Sequence, residues 1–398
     1  MPTRQAWLLV AAAAATGLAG RVFGVYELFL LAAGCVGLVV VAVLRTASRR
    51  PRLEVTRLVH PPNPSVGEHA RVELSLRAGS ATPSLELWEP VGDLGGASLN
   101  VSALRSGERA SAVYRLPTDR RGLVSLGPTS IELRDAFGLA RLTRFVAPAG
   151  EVLVYPRWEL VDLPVLGGGS GPLSRALRRR SLAHVDADEF HALRDYAVGD
   201  DLRRVHWRQS ARRDDLVVRQ TDPSAHLALT VVLDLHASKY TAGGFERAVS
   251  AVASLVASAA HGRRRLRLLT TDSDEHLIDD HHLGPVMEHL ALVQVSSGRV
   301  PPRVRHDAEG LHVVIVACGV ADPTRLSALS RAAGIPDAGV AVCCDVGGEI
   351  PQGWFRVDAV VADDFARSWA GLVGRRAGAP PATSTAVLAT EVPGEVVV

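Results

Sequence analysis

The chain has 398 residues, more than one hydrophobic core ordinarily supports, so two or three domains are expected. With 47% hydrophobic and 22% charged residues it is neither a disordered nor a fibrous chain, and a formal net charge of +2 supplies no global attraction to nucleic acid. Cys35, Cys318, Cys343 and Cys344 have no CxxC spacing, which argues against zinc and against a disulfide framework and suits buried free thiols in a reducing compartment.

From Gln5 to Leu44 the charged residues are Arg21 and Glu27, both near the middle of the run. This predicts two spans of about 20 residues joined by a tight turn, a transmembrane helical hairpin over residues 1–50. A signal peptide with its core at Gln5 to Gly20 is the rival reading, but the second span, Leu28 to Leu44, has no place in a cleaved leader. Arg4 precedes the first span and Arg45, Arg49, Arg50 and Arg52 follow the second, so the arginine bias predicts both ends in the cytoplasm. Ala33 and Gly37, four apart, are candidates for close helix packing.

Residues 51–155 alternate apolar and polar, as in the run from Arg71 to Arg77, and Gly/Pro/Asn clusters punctuate them. This predicts a β-sandwich, with no catalytic constellation in it. Residues 156–183 read as a linker because of the Gly-rich stretch from Leu166 to Pro172. The cluster Arg175, Arg178, Arg179 and Arg180 is either a solvated surface or a contact with anionic membrane lipid.

A signature segment occupies residues 184–222. Gly199 permits a turn, and Asp200 or Asp201 is placed to cap a helix carrying Leu202 and Val205. Arg203 and Trp207 are four apart on that helix, and Asp214 and Asp215 end it before a strand begins at Leu216. Trp207 is expected to be buried, with Arg203 and Arg212 reaching Asp195, Asp200 or Asp201.

The residues Arg194, Asp195 and Tyr196, then Gly199, Asp200, Asp201 and Arg203, then Trp207, Ser210 and Arg212, and finally Leu216 to Arg219, resemble the bacterial domain of unknown function 58 family. The run from Arg120 to Leu123 before Leu126-Gly-Pro128, and the run from Asp135 to Leu139, are similar to motifs that precede the signature in that family. His206 departs from the family, which usually has an acidic residue there, and Ala136 stands where proline is usual.

Residues 223–376 alternate strand and helix with near-continuous apolar strands, which predicts a doubly wound α/β domain with a parallel sheet. The family resemblance implies a von Willebrand factor A-like domain there, with a divalent metal held by an Asp-x-Ser-x-Ser loop. Asp234 and Ser238 match that loop, but His236 replaces its first serine and Cys318 precedes Gly319 where an aspartate is expected, so divalent metal and other cofactors are not expected. Asp272, Asp274, Glu275, His276, Asp279, Asp280, His281 and His282 lack metal-ligand spacing and read as a solvated loop. No nucleophile elbow, P-loop or dinucleotide fingerprint is present in the sequence, and the Pro/Ala/Thr/Val-rich residues 377–398 read as a disordered tail.

The expectation is a membrane-anchored cytoplasmic adaptor or assembly protein that binds rather than catalyses. The resemblance implies a MoxR-type AAA+ ATPase and neighbouring membrane proteins as partners. The alternatives are a metal-dependent enzyme and a metal-dependent adhesion-type receptor using the α/β domain.

Overall fold

The computed structural model describes residues 1–48, 51–93, 95–165, 169–187, 192–195, 205, 207–213, 216–220, 227–271, 275–278, 283–297, 299–300, 311–334, 336–361 and 364–374. The tail predicted for residues 377–398 lies outside them. The chain divides into two compact units, one from Met1 to Tyr155 and one beginning at Pro156.

The first unit opens with α1 (Arg4–Phe23) and α2 (Tyr26–Ser48). At 1.5 Å per residue they are about 30 and 35 Å long, matching a hydrocarbon layer about 30 Å thick. Both are long and apolar enough to cross a membrane. Gly24, at φ 69°, closes α1 in the left-handed region and returns its N–H to Gly20 O. The close approach of the two helices is at Gly20, where a Cβ would stand 3.1 Å from Leu28 Cβ, and not at Gly37, around which nothing lies within 4 Å. Small size matters only where the partner backbone comes near, and the four-residue spacing does not reveal that.

Nine strands follow: β1 (Leu53–His60), β2 (Ala70–Ala78), β3 (Leu85–Pro90), β4 (Gly96–Val101), β5 (Arg109–Leu116), β6 (Gly122–Leu126), β7 (Thr129–Arg134), β8 (Arg141–Ala147) and β9 (Gly150–Val154). They pair antiparallel in sheets β1-β2-β5, β4-β3-β7-β8 and β6-β9. The period of two buries alternate residues, so Val72, Leu74 and Leu76 of β2 meet Leu85 and Leu87 of β3 and Ile131 and Leu133 of β7 in one core.

The same alternation turns Glu89 inward after Leu85 and Leu87, fully buried. It accepts from Arg57 Nε at 2.9 Å and from Arg57 NH2, from Thr129 Oγ1 at 2.7 Å and from the Tyr114 hydroxyl at 2.7 Å. Burial and the bond to Glu89 push the Tyr114 phenol far above its ordinary range. Gly127 of the Leu-Gly-Pro run makes room for this network: at φ 77°, any Cβ would stand 2.8 Å from Arg57 NH2.

The second unit begins with residues 156–165, which lie extended along α5 (Gly244–His261) and are not a loose linker. Glu159 N and Val161 N donate to Ser254 Oγ and Ser258 Oγ at 3.1 and 2.8 Å. Alternate residues of an extended strap and residues four apart on a helix have nearly the same spacing, about 6 to 7 Å, so the two periods mesh. α3 (Pro172–Ala187) replaces most of the remaining expected linker, because Leu173, Ser174 and Leu177 form a buried stripe at helical spacing. Arg175, Arg178, Arg179 and Arg180 are exposed on it.

Next come β10 (Ala192–Asp195), α4 (Trp207–Arg213) and β11 (Val217–Gln220), with β10 and β11 paired antiparallel. The main sheet then forms from β12 (Ala228–Leu233), β13 (Leu266–Thr270), β14 (Glu275–Ile278), β15 (His312–Cys318), β16 (Ala338–Cys343) and β17 (Phe355–Asp358) in the order β14-β13-β12-β15-β16-β17. Five strands are parallel and β14 is an antiparallel edge. β14 falls inside the acidic and histidine-rich run, part of which is therefore strand and not loop. α6 (Leu283–Leu292), α7 (Pro323–Ala333) and α8 (Asp364–Val373) complete the α/β unit. Every residue of β15 and β16 is buried, as in a sheet covered on both faces.

Candidate functional site

Open parallel sheets present ligands at the carboxyl ends of their strands, where the order reverses. Here that point lies between β12 and β15, and the residue leaving β12 is Asp234, 1% exposed. Its N–H donates to Ala317 O at 3.0 Å, which fixes the backbone against β15. Arg325, in the first turn of α7, grips the carboxylate from Nε to Oδ2 and from NH2 to Oδ1, both at 2.5 Å. His236 N donates to Asp234 Oδ1 at 3.0 Å. The hydrogen bond to Asp234 raises Arg325 further above its ordinary pKa, so the guanidinium is a permanent charge here.

Arg325 is aimed by the cap of its own helix. Asp322 Oδ1 accepts from Thr324 N and Arg325 N at 3.0 and 3.2 Å, and its Oδ2 accepts from Lys239 Nζ at 2.9 Å. The Lys239 bond, then the Arg325 N–H, hold the Asp322 carboxyl below its usual 3.8. Gly319 lets the β15 exit pass Lys239, whose carbonyl oxygen would stand 1.9 Å from any added Cβ. One strand over, Asp345 is buried after β16 and accepts from Thr241 N at 2.9 Å and from Arg247 NH2 at 3.1 Å. Each of the two carboxylates at these strand ends is therefore matched by an arginine.

The residues do not fit the divalent ion that a von Willebrand-like loop implies. Both Asp234 oxygens are engaged by one guanidinium, and Ser238 is exposed and bonded to His236 Nδ1 at 3.2 Å. Thr271 Oγ1 accepts from Leu235 N at 2.9 Å. Cys318, a free thiol, is buried at the end of β15 with its Sγ donating to Val342 O at 3.7 Å, and a hydrogen bond with the Cys343 thiol and burial push it above the ordinary range; a soft thiol so placed is a poor substitute for the hard oxygen ligand such a loop needs.

The signature segment is built differently. Val205, Ser210 and Val217 are buried, and Ser210 Oγ accepts from Val217 N at 2.9 Å, tying α4 to β11. Trp207 opens α4 and is 64% exposed, which corrects the expectation of a buried tryptophan. Arg208, Ala211 and Arg212 share its exposure, so Arg212 lies on the surface and not in a buried pair. Among the described side chains of α4, Ser210 is the buried one. Val205 lies in a β-bridge, so the helix begins at Trp207, later than the Asp200 or Asp201 cap predicted. Arg194 and Asp195 sit on β10 opposite Val218 and Val217, and Arg219 sits on β11 opposite Leu193. Tyr196, Gly199, Asp200, Asp201, Arg203 and His206 lie outside the described residues.

Sequence reasoning missed Glu89 with Arg57, Arg325 with Asp322, and Asp345 with Arg247. The Asp-Pro-Thr-Arg run at 322–325 is an N-cap signal that placed a cation in the first turn of a helix, but nothing local names its target.

The family model described as Protein of unknown function DUF58 matches residues 192–286, from β10 to the start of α6, and so includes Trp207, Arg212 and Asp234. A Bacillus subtilis (strain 168) protein described as Uncharacterized protein YeaD is 24% identical over 190 residues, covering 45% of this chain and 44% of that one. The matched stretch thus spans less than half of that relative. Among solved structures, the CARDB domain of PF1109 from Pyrococcus furiosus is 15% identical, with 26% of this chain and 91% of that one covered, at a TM-score of 0.20. The C-terminal domain of wzt is 11% identical, with 26% and 84% covered, at a TM-score of 0.19. Scores this low say nothing about the fold. The similarity that bears on the site is to DUF58, over the signature hairpin and the first strands and helix of the α/β unit.

Proposed function

We propose that this protein is a membrane-anchored adaptor whose cytoplasmic part, ending in a von Willebrand factor A-like domain, binds a MoxR-type AAA+ ATPase and neighbouring membrane proteins rather than catalysing a reaction. The observation that carries this reading is the outward face of α4. Trp207, Arg208 and Arg212 are exposed together on a helix that Ser210 ties to Val217 of β11. Tryptophan and arginine are the residue types that dominate binding energy at protein interfaces, and a rigid mount lowers the ordering cost. The two arginines call for an acidic patch on the partner.

The hairpin supplies the anchor, and the arginine bias at Arg4 and Arg45 favours the cytoplasmic side for the remainder. The metal-dependent enzyme and adhesion readings draw no support from Asp234, whose carboxylate is already neutralised by Arg325. A photo-crosslinking amino acid at position 207, in cells carrying the ATPase, is expected to capture the ATPase as a discrete adduct, and Arg212→Glu is expected to abolish the adduct without lowering the amount of chain in the membrane. An adduct that forms equally well with Arg212→Glu, or none with the ATPase present, sinks the proposal.

A further inference from the structure

We infer that the turn at residues 135–140 of the sandwich rides in the headgroup layer of the bilayer and sets Phe137 at the boundary with the acyl chains. The inference rests on the membrane-anchored reading and adds a folded lipid contact to the two helices.

The turn is rigid. Asp135 Oδ2 accepts from Phe137 N at 3.1 Å and its Oδ1 from Ala140 N at 2.5 Å, while Gly138 takes φ 68° and returns its N–H to Asp135 O at 3.0 Å. The same turn is fastened to the base of the hairpin. Thr3, which caps α1 through Ala6 N, donates its N–H to Leu139 O at 3.0 Å and its hydroxyl to Gly138 O at 2.6 Å. Leu139 and Ala140 are buried in one cluster with Ala6 of α1 and Val39 and Ala42 of α2.

Depth follows from the helix rise. Ala42 and Val39 precede Arg45 by roughly 4.5 and 9 Å along the axis, and the headgroup layer is about 5 to 8 Å thick on each side. A turn packed against those residues lies no farther out than the charged end of the hairpin. Phe137 at its tip is 67% exposed, although the turn needs no aromatic for its own geometry. Arg4, Arg45 and Arg141 are exposed at the same end of the unit, as suits a surface facing lipid phosphates. Aromatic side chains at this depth bury their rings in the interfacial layer.

The test uses the full chain with Cys35→Ala, leaving the buried Cys318, Cys343 and Cys344, and an environment-sensitive fluorophore on Phe137→Cys or, as a control, on His69→Cys. His69 is exposed before β2, near the end of β1 that lies roughly 23 Å from Leu53 along the strand. In vesicles of phosphatidylethanolamine and phosphatidylglycerol, the label at 137 is expected to emit blue-shifted and to be quenched several-fold more by headgroup-proximal nitroxide lipid than the label at 69. Equal, water-like behaviour at both positions, in a chain that stays with the vesicles through alkaline carbonate, overturns the inference and assigns Phe137 to a protein contact. A chain that carbonate strips from the vesicles overturns the anchored reading itself, and this inference with it.

Discussion

Both units meet buried carboxylates with arginine, but the Glu89 and Asp234 pairs occupy different kinds of place. Glu89 stands in the middle of the sandwich, with Arg57, Thr129 and Tyr114 filling its acceptor sites and apolar side chains beyond. Asp234 stands at the end of a central strand, where a parallel sheet ordinarily meets a ligand, and its arginine arrives from a helix cap 91 residues on. The first pair is a polar insertion into a core. In the second, a tethered cation stands where the resemblance implies an ion. Equal burial and equal charge therefore do not imply equal roles, and what distinguishes the two is the position of the carboxylate in the sheet.

The contrast breaks first at Arg57. Arg57→Ala leaves Glu89 without its guanidinium in a site closed to water, and we expect a loss of about 3 to 5 kcal/mol in chemical unfolding of the detergent-purified chain. A loss under 1 kcal/mol means that the sandwich relaxes around the charge and that the network is dispensable. Arg325→Ala is expected to cost somewhat less, about 2 to 4 kcal/mol, since strand ends lie nearer solvent; the two arginines are themselves about equally covered, 12% and 15% exposed. For the parent, millimolar magnesium is expected to leave the melting temperature where it is, because both Asp234 oxygens are held. A rise of several degrees that disappears in Asp234→Ala shows an ion displacing Arg325, and the tethered-cation account then fails.

A smaller effect sharpens the second site. Asp322→Ala removes the cap that aims Arg325 and is expected to cost about 0.5 to 2 kcal/mol at pH 7. The folded Asp322 titrates below 3.8, so its contribution is complete above that value and is lost as pH falls below it. The difference between parent and Asp322→Ala should accordingly shrink as the pH drops through 3.8, and a difference that grows there contradicts the ion pair with Lys239. The smallest effect belongs to the signature helix: Trp207→Ala and Arg212→Ala should change the unfolding free energy by no more than about 0.5 kcal/mol, as exposed residues do. A loss of several kcal/mol in either returns the motif to the core.

Local chemistry made much of this legible. The hairpin follows from forty residues with charge only at the bend, the sandwich from alternation, and the parallel sheet from all-apolar strands such as Val313 to Ala317. Asp234 was legible as a strand-end carboxylate, but Arg325 was not legible as its partner, since only the packing of α7 brings them together. α3 was hidden by the Gly-rich run before it and the arginines within it, although Leu173 and Leu177 already carried the helical stripe. Trp207 misled because burial is the usual fate of tryptophan, whereas here it stands 64% exposed at the first position of α4.

The strap along α5 bears on the order in which the molecule assembles. Its hydrogen bonds close loops of 95, 97 and, through Trp369 Nε1 to Asp162 O, 207 residues, so its docking is complete only once α5 and α8 are both in place. During synthesis the strap leaves the ribosome well before α5, and its amides stay hydrated until Ser254 and Ser258 are in place. A protease present during refolding should cut residues 156–165 early, and should lose access to them only in the last kinetic phase.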